Sequence, residues 1–254
     1  MKRELFGVFG CLLALSVLVR GDDPGRSRDD TTGPSSGGRR SVQRALEPYN
    51  DWVGTWRGVG QPKRGSSKGA WTEEADWAWK ISRDSAGLQL EVKDSKLFQS
   101  GLLSYEPEQK KFRFTAKLAD GKSRDYLGDR ADQNKLVLVS ADKESDDEQR
   151  LTIQMLHADR MLLLAENKPA GQSSFSRLAE VGYTRKGGSF ASAADAGPKC
   201  IVTGGRGTIA VAYKGKTYYV CCTGCRQAFL DDPEGTLADA AERAKKEEAE
   251  RKKK

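Results

Sequence analysis

What most constrains this chain's fold is a series of ten short runs in which apolar and polar residues alternate, separated by turn residues with no helical period between them. The runs fall at 52–60, 73–81, 88–92, 97–105, 111–117, 123–129, 135–141, 150–156, 160–166 and 180–185. Strand side chains alternate between faces, so Trp77, Trp79 and Ile81 share one face. Asp120-Gly121 and His157-Ala158-Asp159 supply hairpin turns. So many consecutive strands leave exposed edges unless the sheet closes. The predicted fold class is therefore mainly β: an antiparallel barrel over residues 46–187, long enough for one core.

The flanks differ in kind. Lys2 and Arg3 precede an apolar run at 5–19, and Val19-Arg20-Gly21 places small residues at minus three and minus one of a cleavage site, so 1–21 is expected to be a signal peptide. The run is shorter than the roughly twenty residues that span a bilayer. No transmembrane span is expected after cleavage, and the expected location is periplasmic or secreted. Cys11 lies inside the run, in a sequence with only a faint look of a lipoprotein box. Residues 22–45, "DDPGRSRDDTTGPSSGGRR" and a short continuation, have little to bury and are expected to form a disordered tether. Of the formal +7 charge, +2 belongs to residues 1–21 and +3 to residues 242–254. The remainder is too nearly neutral for a basic nucleic-acid face, so no nucleic-acid partner is expected.

"WVGTWRGVG" at the start of the alternating region, "GLLSYEPEQKKFRFT" in its middle and "RLAEVGYTRKG" at its close resemble a lipocalin-like domain of the calycin type found in secreted bacterial proteins. The resemblance implies a barrel that either holds a small apolar ligand or is packed throughout. Trp77 and Trp79 are the residues to line such a cavity, with packed core the expected alternative.

A small-residue linker at 188–197 leads to a unit at 198–237 and a charged helical tail at 238–254, expected to be solvated. The unit has a strand pair around "TIAVAYKGKTYYVCC" with Lys214-Gly215-Lys216 as its turn, then a short helix from about Cys225 on which Phe229 and Leu230 are to pack. A module of this size rarely folds on a hydrophobic core alone. It holds Cys200, Cys221, Cys222 and Cys225, every cysteine of the chain but Cys11. One distant sulfur plus a cluster around a tight turn is what a tetrahedral thiolate site needs, with Thr223-Gly224 as the turn and Gly224 free to adopt positive φ. A helix N-terminus at Cys225 would favour its thiolate.

Cys200, twenty intervening residues, Cys221, three more and Cys225, between "VAYKGKTYYVCC" and "RQAFLDDPEGTL", resemble the YHS and TRASH families of small metal-binding modules. The resemblance implies binding, sensing or trafficking of a zinc or copper ion, with Cys200, Cys221 and Cys225 as ligands by position. Cys222 is then a fourth ligand or a bystander, and Cys222 with Cys225 is an alternative pair. The Tyr-His-Ser element that names the first family is absent: Ala212-Tyr213-Lys214 stands in the neighbouring strand, and the module has no histidine.

Three other uses of the cysteines compete: a disulfide framework suited to an oxidising compartment, a redox pair at Cys222 and Cys225, and a purely structural ion. Elsewhere, His157 is the only histidine and is expected on an exposed turn, and Glu73, Glu74 and Asp76 are expected on a solvated face. "GVGQPKRGSSKGA" and "TGGRGT" lack the ending of a phosphate loop. The expected function is extracytoplasmic binding of a transition-metal ion by a protein that is not an enzyme. The alternative is a carrier of a small apolar ligand whose cysteines only staple the module. The sequence names no protein partner.

Overall fold

The computed structural model describes residues 36–141, 147–187 and 197–252. The signal peptide expected at 1–21, the tether up to residue 35 and nearly all of the 188–197 linker lie outside the described residues. The ten alternating runs form ten strands: β1 (Gly54–Gln61), β2 (Trp71–Ile81), β3 (Ala86–Lys93), β4 (Phe98–Glu106), β5 (Lys111–Leu118), β6 (Ser123–Asp132), β7 (Lys135–Ser140), β8 (Glu148–His157), β9 (Arg160–Lys168) and β10 (Ser176–Arg185). Each pairs with its sequence neighbours, and β1 closes on β10 through a register that sets Trp56 opposite Arg185 and Gln61 opposite Glu180. The fold is mainly β, a closed antiparallel barrel as expected. Among the described residues no helix is long and apolar enough to cross a membrane.

Two boundaries differ from the sequence expectation. The tether was expected to run to residue 45, but α1 (Ser36–Leu46) is a helix whose Leu46 is fully buried and whose Val42 and Ala45 pack on the core. An apolar stripe hidden among arginines and serines supplies the burial that the composition conceals. The first run was also expected to begin at Trp52. Residues Glu47–Trp52 instead form a 3-10 turn, with Pro48 in its first turn where a missing N–H costs nothing.

That turn inserts Tyr49 and Trp52 into the aromatic core of the barrel. Tyr49 lies 5.4 Å from Phe112, edge to face, and Trp52 lies 5.4 Å from Trp77. The stack continues from Trp77 to Phe114 at 6.2 Å and from Phe114 to Tyr126 at 6.4 Å. Trp77 and Trp79 are buried among these side chains. Large rings opposite missing side chains set the local diameter: a Cβ on Gly101 would fall 2.2 Å from the Phe114 ring.

Glu73 corrects the expected solvated face. It shares the inward face of β2 with Ala75, Trp77 and Trp79, is only 5% exposed, and accepts hydrogen bonds from the Tyr183 hydroxyl and, at 2.6 Å, from Trp71 Nε1. Its neighbours do face out: Glu74 pairs with Lys186, and Asp76 accepts from Thr55 Oγ1 at 2.8 Å. His157 is exposed at the β8–β9 turn, as expected.

The cysteine segment contains the expected hairpin, β11 (Ile209–Tyr213) and β12 (Lys216–Val220), followed by α2 (Thr223–Asp231) and α3 (Pro233–Arg251). Phe229 of α2 is fully buried against Tyr213 and Tyr218, whereas Leu230, expected to pack beside it, points outward and is 48% exposed. Asp232 caps α3 by accepting from the Gly235 N–H at 3.0 Å, with Pro233 in the first turn. Val211, Val220 and Phe229 belong to the same contiguous buried set as Trp77 and Trp79, so barrel and hairpin share one core.

Trp77→Ala should lower stability in denaturant unfolding by about 3–5 kcal/mol, the cost of removing a large buried ring. Leu230→Ala should stay within about 0.5 kcal/mol. Comparable losses from both would contradict the packing described.

Candidate metal centre

The four module cysteines converge as free thiols: Cys200, Cys222 and Cys225 are buried and Cys221 is half-buried. The sulfurs of Cys200, Cys221 and Cys225 all lie within 4.8 Å of one another, a set able to hold a metal ion. Cys221 Sγ is 3.4 Å from Cys225 Sγ and 3.9 Å from Cys222 Sγ. A tetrahedral ion with bonds to sulfur of about 2.3 Å sets its sulfurs roughly 3.8 Å apart, whereas a disulfide requires about 2.0 Å. Cys222 stays outside the mutually close set, touching it through Cys221 and Cys225.

Each sulfur is placed by a different device. Cys200 opens a tight loop in which its N–H donates to the Gly205 carbonyl at 2.6 Å and the Gly204 N–H donates to its carbonyl at 2.8 Å. Gly204 needs its glycine, at φ +77°. The loop's outward carbonyls are held by side chains from remote elements. Gln43 of α1 donates to Val202 at 2.8 Å, Asn50 to Thr203 at 2.9 Å, and Arg243 of α3 to Ile201 at 2.8 Å and Val202 at 3.2 Å. The charged tail, expected to be solvated, therefore presents one arginine to the cysteine loop, and a second tie joins Lys199 to Glu247 at 3.0 Å.

Cys221 directly follows β12, with Thr203 Oγ1 3.7 Å from its sulfur. Cys222 is the N-cap of α2 in extended backbone, so Cys225 is the third helical residue and not the first as expected. The Trp79 N–H of β2 donates to Cys222 Sγ at 3.3 Å. That amide is available because β1 begins at Gly54, opposite Trp77, and leaves the end of β2 without a partner on that side. Gly224 sits against the backbone of the same residue: a Cβ there would lie 1.6 Å from the Trp79 carbonyl oxygen. Gly224 is helical, so its glycine serves close approach and not the positive φ expected of it.

The electrostatics also depart from expectation. Burial, followed by its sulfur neighbours, pushes the Cys225 thiol well up, although the helix N-terminus was expected to favour its thiolate. Complete burial outweighs the dipole at this position. Cys222 is the group held well below the usual thiol range, by hydrogen bonds from Cys221 and Cys225 and by the backbone N–H groups of Cys225 and Trp79. Cys200 is likewise held down, by Cys221 and Cys225 first and then by Thr203. Cys221, which donates toward Cys200 and Cys222, is pushed up.

No protein-family model and no curated protein matches the chain. Among solved structures, the barrel region is similar to the S-type phycobiliprotein lyase CPES from Guillardia theta, at 13% identity and a TM-score of 0.36 over 57% of this chain and 94% of that one. It is also similar to EF1p2_mFAP2b bound to DFHBI, at 12% identity and a TM-score of 0.25 over 55% of this chain and 98% of that one. At these values neither likeness carries an argument about function. The expectation that this chain is not an enzyme gains no support from them.

Replacing a helical glycine by alanine ordinarily stabilises by up to about 1 kcal/mol. Gly224→Ala should reverse that sign, costing about 2–3 kcal/mol, because the new methyl meets a backbone carbonyl that cannot yield as a side chain would. Thermal unfolding measures it, and an unchanged or raised midpoint would refute the close contact between α2 and β2.

Proposed function

We propose that this chain is an extracytoplasmic transition-metal-binding protein whose ion is held by the thiolates of Cys200, Cys221 and Cys225. Cys222 serves either as a fourth ligand or as the sulfur that ties the site to β2. The observation that carries this reading is the mutual approach of three sulfurs within 4.8 Å, drawn from the Cys200 loop, the residue after β12 and the first turn of α2. Zinc and copper(I) both accept such a donor set, and a third or fourth thiolate favours them over magnesium or calcium. The bound ion would supply the positive charge that clustered thiolates otherwise lack. The YHS and TRASH resemblance of residues 198–237 and the signal peptide at 1–21 support the metal-handling and extracytoplasmic parts of the reading. In this proposal the barrel is a scaffold and not a carrier, a view supported by the aromatic stack from Tyr49 to Tyr126 along its interior.

The reduced chain should take up one equivalent of zinc or copper(I), measured by elemental analysis after gel filtration. Cys200→Ser, Cys221→Ser and Cys225→Ser should each lower affinity by more than about 100-fold. Cys222→Ser should lower it by about tenfold where Cys222 only ties the site to β2, the scale of an outer contact, and by as much as the other three where it is the fourth ligand. Protein isolated with no free thiols, no bound metal and full structure in chelator would establish a disulfide framework and end the metal reading.

A further inference from the structure

A cleft of about 470 Å³ opens beside the sulfur cluster, and Cys221 is the cysteine in its wall. Arg185, Lys186, Lys199 and Arg206 also line it, with Asp51 as the acidic residue of the wall. Three of these cations are engaged. Lys186 pairs with Glu74 and Lys199 with Glu247. Arg185 directs its N–H groups to the carbonyls of Ala158, Val53 and Asp51, with Asp159 at 3.6 Å. Arg206 is exposed, and among the described residues no carboxylate pairs with it. Its charge is felt within the wall, since Arg206 is the second cause, after burial, of a lowered Arg185 pKa. The least buried sulfur of the cluster thus shares a cleft with an uncommitted guanidinium.

We propose that this cleft admits a small carboxylate-bearing thiol, whose carboxylate binds Arg206 while its sulfur exchanges with Cys221 for the metal ion. The proposal rests on the metal-binding reading and adds the route and chemical class of the exchange partner. The cleft volume lies within the range of small-molecule sites. A thiolate-preferring ion passes readily to another sulfur donor, and a guanidinium is the donor that suits a carboxylate. In the exchange, a bond forms between the incoming sulfur and the ion as the bond from Cys221 Sγ breaks. The proton lost by the incoming thiol is taken by Cys221, and no atom changes oxidation state.

Two measurements on the full chain test this. In the first, reduced metal-free protein is alkylated with iodoacetate and, separately, with iodoacetamide, and label on Cys221 is located by mass spectrometry. Both reagents attack the same thiolate and expel the same iodide, so their rate ratio removes the thiol's protonation and retains the reagent's charge. Arg206→Glu should lower the iodoacetate-to-iodoacetamide ratio about fourfold and Arg206→Gln about twofold, with Arg206→Lys near wild type. In the second, zinc-loaded protein is offered reduced glutathione or 2-mercaptoethanol, and the glutathione-to-mercaptoethanol ratio of zinc-release rates should fall in the same order across the variants. Zinc uptake with both ratios unchanged by Arg206→Glu would overturn the cleft proposal and leave the metal site standing. A chain that takes up neither zinc nor copper(I) would overturn the metal reading and the exchange with it, while the alkylation ratio would still decide whether the cleft attracts anions.

Discussion

The backbone of Trp79 is the joint on which the described structure depends. Closure gives every barrel strand two neighbours, but β1 starts at Gly54 and leaves the last residues of β2 without a partner on one side. A buried amide and carbonyl there need partners or they cost free energy. The amide finds Cys222 Sγ and the carbonyl lies against Gly224, so the end of β2 is covered by the start of α2. The same indole donates its Nε1–H to Asn50 at 3.0 Å, and Asn50 in turn donates to Thr203 of the cysteine loop. One strand residue therefore touches the sulfur cluster directly and, through Asn50, the loop that carries Cys200.

This arrangement explains how a segment of about forty residues with few large apolar side chains holds four sulfurs together. It does not rely on a core of its own. Gln43, Asn50 and Arg243 grip successive carbonyls of the Cys200 loop from outside, while the loop's own N–H groups turn inward to Cys200 and its neighbours. Burial raises the cost of charge on sulfur, and at Cys222 the Cys221 and Cys225 thiols, followed by the N–H groups of Cys225 and Trp79, offset it. The site is thus closed on its barrel side and meets the cationic cleft at Cys221.

The alternating runs made the barrel legible in the sequence, because a strand's period of two is local and survives without knowledge of its neighbours. The same logic placed Trp77 and Trp79 on one face, and applied four residues before Trp77 it puts Glu73 there as well. Charge alone suggested solvent for Glu73, and only the Tyr183 and Trp71 donors account for its burial. The spacing of Cys200, Cys221 and Cys225, through its resemblance to small metal-binding modules, likewise pointed to the three cysteines that the fold brings together.

The amino-acid sequence by itself determined the strand count, the hairpin before the cysteines and the identity of the candidate ligands, since each depends on residues near one another in the chain. Tertiary structure alone decided what surrounds those ligands. Gln43 meets Val202 across 159 positions, Trp79 meets Cys222 across 143, and Arg243 reaches back across 41. No local period encodes such contacts. It also reversed two local inferences: Gly224 is required for close approach to a strand it does not adjoin in sequence, and burial, a property of the whole fold, raises the Cys225 thiol that the helix terminus was expected to lower.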